Sequence, residues 1–199
     1  MLARYPASIV CAVAVAAGFL LGSVPFGVLL ARARGVDLTK VGSGNIGATN
    51  AARALGKKSG IVVLLLDTLK AYLPTLAVLL LGAGPDVAAA TGFAAFSGHI
   101  FSPWLRFRGG KGVACGLGAF LALSPAAAGI AGAACVLVVV LTRIGSLGSL
   151  LGGLTLIPSL ILLHAPRAYL VVAAVMMLLI LWRHRENISR IRVGKENKW

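Results

Sequence analysis

The sequence predicts an all-α, polytopic membrane bundle of seven helices, with five as the competing count, its N-terminus outside and its C-terminus cytoplasmic. Three observations carry that expectation. Hydrophobic residues make up 59% of the 199 and charged residues only 12%, more apolar surface than a soluble domain of this length has to cover. The apolar residues fall in separated runs, several of them as long as a bilayer is thick. The cations collect in alternate connecting segments, as Lys and Arg do on the cytoplasmic side of short loops. The longest polar stretch, 33–59, is rich in site-like rather than linker-like residues, so one domain over 1–199 is expected.

In chain order the apolar runs are 7–31, 60–82, 87–105, 112–122, 126–141, 145–163 and 168–182. The first, second and sixth reach the roughly 18–25 residues that a spanning helix requires, and the fourth is short enough to be tilted, partial or re-entrant. Ala31, Arg32 and Ala33 imitate a signal cleavage site. A run of about 25 apolar residues, however, exceeds a signal core of about 7–15, so it reads as a mature helix. With the N-terminus outside, segments 32–59, 105–111, 142–144 and 183–199 are inner and hold 16 of the 19 Lys and Arg. The outer segments keep only Arg4 and Arg167, and Lys70 lies inside a helix.

The formal charge of +14 does not indicate nucleic acid, because the cations are divided among loops with no contiguous stripe and no aromatic platform. Topology and anionic membrane lipid account for most of them. Cys11, Cys115 and Cys135 lie in apolar runs without metal-ligand spacing, which points to packing rather than to a metal or a disulfide. Gly148 and Gly152, four apart on one helix face, suit close helix approach.

Two glycine-punctuated loops, 41–50 and 107–114, carry the chemistry. Gly42, Gly44 and Gly47 match a dinucleotide fingerprint, but no strand precedes them, and Asp67, twenty residues on, is inside the membrane. Gly109, Gly110, Lys111 and Gly112 lack the Ser or Thr that follows lysine in a nucleoside-triphosphate loop. A phosphate cradle remains. Its glycines allow close backbone approach, and a helix beginning near Gly112 aims free N–H groups at an anion beside Lys111. Ser43, Asn45, Thr49 and Asn50 add short polar groups ahead of Arg53, whose fork grips phosphate at two points.

Asp67 and Lys70, three apart on one helix face, are either an internal ion pair or direct substrate contacts. His99 is a packing residue or a wall of the site, and His164 falls in an outer turn. His184, Asn187 and Arg190 share one stripe of a tail helix at the cytoplasmic edge. Acyl-CoA-using glycerolipid acyltransferases typically pair His with an Asp five residues later. Positions five after His99, His164 and His184 are Trp104, Tyr169 and Ser189, so an already activated donor is expected.

The chain resembles the bacterial membrane glycerol-3-phosphate acyltransferases that use acyl phosphate. The resemblance covers S-V-P-F-G from Ser23, S-G-N-I-G-A-T-N from Ser43 with Arg53, and D-T-L-K from Asp67. It continues through Gly98-His99, F-R-G-G-K-G-V-A from Phe107, S-L-G-S from Ser146, and H-R-E-N-I-S-R-I from His184 with Gly194 and Glu196. Ala71, Cys115 and Ile144 depart from residues usual in the family, which bears on local packing.

The resemblance implies a multi-pass protein of the bacterial inner membrane with its active site facing the cytoplasm, without metal, cofactor or acyl-enzyme intermediate. Its substrates would be acyl phosphate and glycerol 3-phosphate, and its products lysophosphatidate and inorganic phosphate. Ser43, Arg53, Lys111, His184 and Asn187 are the expected catalytic set. Phosphate binding is expected of Ser43, Asn45, Gly47, Thr49, Asn50, Arg53, Gly109, Gly110, Lys111, Gly112 and Ser146. Asp67, Lys70, His99 and Glu196 would support the site, Glu196 by anchoring the basic tail. The acceptor proton goes to His184 or to a substrate phosphate. A transporter of phosphorylated small molecules is the competing class; it would place its polar groups at mid-membrane rather than at the loops.

Overall fold

The structure, a computed structural model, describes residues 6–198. Ten α-helices and one short 3-10 turn occur among the described residues. The first apolar run is broken in two, α1 (Ala7–Ser23) and α2 (Phe26–Arg32), because Val24 is extended and Pro25 brings no N–H to continue the ladder. A loop leads to a short amphipathic α3 (Ala48–Leu55), then α4 (Lys57–Leu80) and α5 (Pro85–Ile100). The 3-10 turn Pro103–Leu105 and the second glycine loop follow. The chain continues as α6 (Val113–Leu123), α7 (Pro125–Thr142), α8 (Gly145–Leu162), α9 (Arg167–Arg183) and α10 (Arg185–Arg192).

Each of the seven apolar runs is therefore helical, the first split in two, and the short helices α3 and α10 bring the total among the described residues to ten. By length and composition four elements can cross a membrane, 7–32 taken together, α4, α7 and α8. A fifth is added if α9 and α10, bent by 60° at His184, count as one. With 16 and 11 residues, α5 and α6 are about 24 and 16 Å long at 1.5 Å per residue, short of a hydrocarbon layer of about 30 Å. The sequence pattern did not foresee α3, whose mean hydropathy is too low for an apolar run to reveal it. Its signal is the two-faced pattern of a short amphipathic helix, since it buries Asn50 and Ala51 and leaves Arg53 exposed.

Small residues set how closely the helices pack. On α1 a Cβ at Gly22 would overlap the Ala95 carbonyl of α5, and one at Gly98 of α5 would overlap the Phe19 carbonyl. On α6, a Cβ at Gly118 would meet the Thr68 carbonyl of α4. Gly148 and Gly152 of α8 do lie on one face, where added Cβ atoms would crowd Cys135 and Ala131 of α7. Phe96 and Phe120 fill the middle, fully buried among alanines. Ala71 is fully buried, and the Cys115 thiol donates to the Asp67 carbonyl at 3.1 Å, so both departures from family usage are accommodated by packing. Large exposed hydrophobics, among them Leu80, Val140, Leu162 and Leu178, ring the outside where lipid replaces water.

The α1–α5 contact leaves no room for a side chain, and overpacking typically costs about 1–3 kcal/mol. Gly22→Val should therefore lower the thermal midpoint of the detergent-solubilised protein by several degrees. Gly129→Ala, on α7 with open space around it, should leave the midpoint unchanged, and equal midpoints for the two variants would refute this packing.

Candidate active site

Ser43, Arg53, Lys111, Ser146, His184 and Glu196, brought from five segments far apart in sequence, line one cavity of about 370 Å³. The loops that carry them therefore gather at one end of the bundle. Asn45, Gly47, Thr49, Asn50, Gly112 and Asn187 also line the cavity, as do Asp67 and His99; Gly109, Gly110 and Lys70 stand behind its wall. Away from the loops its lining becomes apolar, with Leu117, Phe120, Leu156, Met176 and Ile180.

Asn50 organises the first loop. Its Nδ2 donates to the carbonyls of Leu38 and Val41, at 3.1 and 2.9 Å, and its Oδ1 accepts the Ser43 N–H at 3.0 Å. Buried and with its donors spent, Asn50 holds the loop rather than offering an amide to a ligand. Gly42 is left-handed at φ 61°, and a Cβ there would collide with Asn50 Oδ1. Asn45 similarly spends its Oδ1 on the Gly47 N–H at 2.9 Å. The groups left open are the exposed Ser43 side chain and, one turn apart on α3, Thr49 and Arg53. Arg53 reaches across to the tail, where its Nη2 donates to the Asn197 carbonyl at 3.3 Å.

The second loop corrects an expectation. The Gly109 and Gly110 amides donate to the carbonyls of Ile100 and His99, at 3.0 and 3.1 Å, and so do not face an anion. The physical reason is the adjacency of α5, whose last carbonyls lack intrahelical partners and take up these amides. On the other side Arg183 grips both glycine carbonyls, Nε donating to Gly110 at 3.0 Å and Nη2 to Gly109. These glycines are needed for closeness: a Cβ at Gly109 would enter the His99 carbonyl, and one at Gly110 the His99 ring. Free amides remain in the first turn of α6, from Val113 to Cys115, where the helix dipole also favours an anion. Lys111 to Ala114 line the cavity there.

Lys111 Nζ donates to Asn187 Oδ1 at 2.6 Å. Burial pushes its pKa down to about 8, partly opposed by the charge of Glu196. Asn187 Nδ2 in turn donates to Glu196 Oε1 at 2.5 Å. Glu196 also accepts from Ser146 Oγ at 2.9 Å and from Arg190 Nε at 2.7 Å. Burial opposes ionisation of that carboxyl, but the three hydrogen bonds outweigh it and hold its pKa below the ordinary value. Glu186, by contrast, is exposed and 4.0 Å from Arg190, a pairing worth little.

His184 sits at the bend between α9 and α10, 2% exposed. Its Nδ1 is 2.8 Å from the Ile180 carbonyl. A carbonyl only accepts, so Nδ1 carries the proton and Nε2 keeps a bare lone pair. Burial, reinforced by the Lys111 charge, pushes its pKa down to about 4, leaving the ring neutral.

Behind the glycine loop, Lys70 Nζ is 2.7 Å from Asp67 Oδ1 and both side chains are almost fully buried. The contact is an ion pair without hydrogen-bond alignment, since Oδ1 has no hydrogen-bond partner among the described residues. Arg183 was legible in the sequence only as a tail cation. Its task is to hold a backbone strand with no side chains to announce it, and no pattern in the sequence marks such a partner.

A family model for glycerol-3-phosphate acyltransferase matches residues 12–194. The glycerol-3-phosphate acyltransferase of Myxococcus xanthus (strain DK1622) is 49% identical over 184 residues, covering 92% of this chain and 96% of that protein. That of Geobacter sulfurreducens is 44% identical over 185 residues, covering 92% and 95%. The crystal structure of PlsY (YgiH), an integral membrane glycerol 3-phosphate acyltransferase in its glycerol 3-phosphate form, matches with a TM-score of 0.92 at 40% identity over 95% of each chain. Its lysophosphatidic acid form gives 0.89 at 39% identity. With the matched region covering 12–194 of the 199 residues, the chain belongs to the glycerol-3-phosphate acyltransferase family.

Proposed function

We propose that this chain transfers an acyl group from acyl phosphate to glycerol 3-phosphate, giving 1-acylglycerol 3-phosphate and inorganic phosphate. The observation that supports this most directly is the two-part cavity. At its loop end it collects Arg53, Lys111 and Arg190, the free amides of α6 and the bare Nε2 of His184, and it then continues into an apolar channel. Three cations and a helix N-terminus offset the repulsion of two phosphates held side by side. The channel suits an acyl chain, and the polar groups sit at the loop end rather than at mid-bundle, as an enzyme at the membrane face requires.

Acyl phosphate is a mixed anhydride with a good leaving group, so positioning supplies much of the needed acceleration. The acceptor hydroxyl oxygen attacks the acyl carbonyl carbon, the bond from that carbon to the phosphate oxygen breaks, and phosphate leaves. His184 Nε2 accepts the hydroxyl hydrogen bond and aligns the attack. His184, whose pKa burial pushes down to about 4, is a weak base, so the proton passes to a phosphate oxygen of a substrate. Ser43, Arg53, Lys111 and the α6 N-terminus hold the phosphates. Asn187 and Glu196 hold Lys111, Ser146 and Arg190 in register around them.

The purified protein should release phosphate from acyl phosphate only when glycerol 3-phosphate is present, and should form no product from acyl-CoA. Comparable turnover with acyl-CoA would exclude this donor. In the same assay His184→Ala should insert normally and lose about 10²-fold or more in rate from misalignment, with Glu186→Ala near normal. A His184→Ala variant at wild-type rate would remove the residue from the reaction.

The titration of Lys111 gives a pH dependence with a definite sign. Its charge is present below about pH 8 and lost above it, and kcat/KM reports the free enzyme. That ratio for glycerol 3-phosphate should therefore fall as pH rises through about 8, and Lys111→Arg should move the fall upward out of range. A fall at the same pH in both proteins would assign the limb elsewhere.

The cation-rich end of the bundle, with the site, faces the cytoplasm of the bacterial inner membrane, and the seven apolar runs connect the two sides. The short α5 and α6 do so within the bundle, where protein rather than lipid surrounds most of their residues. In a cysteine-free background, a cysteine at position 56 should resist an impermeant thiol reagent in intact cells, while one at position 84 should react. Reversed labelling would invert the orientation and separate the site from cytoplasmic substrates.

A further inference from the structure

His99 lies at the cytoplasmic-loop end of α5 with its two ring nitrogens in unlike surroundings. Nδ1 is 3.0 Å from Lys70 Nζ. The ammonium is itself boxed in by the Val24 carbonyl at 2.7 Å, Asp67 Oδ1 at 2.7 Å and the Phe26 ring, 5.7 Å to its centroid. An ammonium has three donors and no acceptor, and the other groups around Nζ, a carbonyl oxygen, a carboxylate oxygen and a ring face, all call for a donor. His99 Nδ1 must therefore be the bare, accepting nitrogen, and the ring proton must sit on Nε2. That nitrogen lies against Gly110, beside Lys111, and has no hydrogen-bond partner among the described residues, while His99 lines the cavity.

We propose that Lys70 is a positioning residue that locks His99 in its Nε2–H form, and that His99 thereby offers a neutral hydrogen-bond donor to a substrate phosphate oxygen beside Lys111. The two cavity histidines then carry opposite tautomers. His184, with Nδ1–H given to the Ile180 carbonyl, presents an acceptor for the hydroxyl, while His99 presents a donor for an anion. A neutral donor is suited to this place, since another full charge beside Lys111, Arg183 and Lys70 would repel them. The phosphate part of the claim rests on the reaction proposed above; the tautomer does not.

Two measurements test it on the full-length protein. In a ¹⁵N-histidine spectrum, with the His99 signals identified by their loss in His99→Asn, His99 should show a bare Nδ1 and a protonated Nε2, and His184 the reverse. A protonated His99 Nδ1 overturns the proposal whatever the variants do.

In steady-state assays, His99→Asn keeps an acceptor for Lys70 but cannot reach the cavity, whereas His99→Gln carries an N–H donor to about the position of Nε2. Losing a hydrogen bond to a charged group costs about 10- to 100-fold in affinity. His99→Asn should therefore raise KM by that factor with kcat little changed, and His99→Gln should stay within a few-fold of wild type. A rise confined to glycerol 3-phosphate assigns the donor to the acceptor's phosphate, and one confined to acyl phosphate assigns it to the leaving phosphate. Unchanged KM for both substrates in His99→Asn, or equal impairment of the two variants, refutes the contact. A wild-type protein inactive with acyl phosphate would instead refute the proposed reaction and leave the spectrum to decide the tautomer.

Discussion

The site depends on how the end of α5 disposes of its carbonyls. Hydrocarbon offers no hydrogen bonds, so a helix that stops at the edge of a membrane must find donors for its last turn within the protein. Here the donors are the Gly109 and Gly110 amides, taken by Ile100 and His99. Arg183 closes the other side of the strand by binding both glycine carbonyls. The loop is thereby held between α5 and α9, and everything downstream inherits its position. Lys111 emerges toward Asn187, the first turn of α6 opens onto the cavity, and the His99 ring rests on Gly110. Glycine is required in the strand because the neighbouring backbone is too close for a Cβ.

A second constraint is the supply of partners to buried charge. Glu196 takes hydrogen bonds from Ser146, Asn187 and Arg190, and Asn187 passes the contact on to Lys111. One carboxylate so links the N-terminus of α8, the tail helix α10 and the second glycine loop. Removing one partner from such a network leaves the others desolvated and unpaired, which costs more than the lost contact itself.

Composition and run lengths made the all-helical membrane class plain, and the spacing of polar residues brought Ser43, Arg53, Lys111, His184 and Asn187 to notice before any geometry was known. All five line one cavity. Less legible was the division of labour among residues of similar chemistry. Asn50 and Asn187 are both amides near phosphate-like loops, yet Asn50 is consumed by its own loop and Asn187 links Lys111 to Glu196. Gly109 and Gly110 read as an open cradle, and their amides are occupied. Such distinctions turn on which backbone carbonyl lies within 3 Å, and that is set by packing between helices distant in sequence. The helix count was hard to read for a related reason. Run length measures hydropathy: the 87–105 run ends its helix at Ile100 because Phe101 to Leu105 turn away toward the glycine loop, while α6 is already as short as its run.

The strap that Glu196 forms bears on biogenesis. The bundle is inserted from its N-terminus, and all the long apolar helices have been made by the time α9 leaves the ribosome. At that stage Ser146 and Lys111 still lack the carboxylate that orders them, and Arg53 lacks the Asn197 carbonyl it contacts. The polar end of the cavity is thus finished by a stretch made after every long apolar helix. A polypeptide that stops short of Glu196 can hold every long apolar helix while its cationic, anion-binding pocket still lacks these partners, so the site depends on the segment after α10 as much as on the bundle.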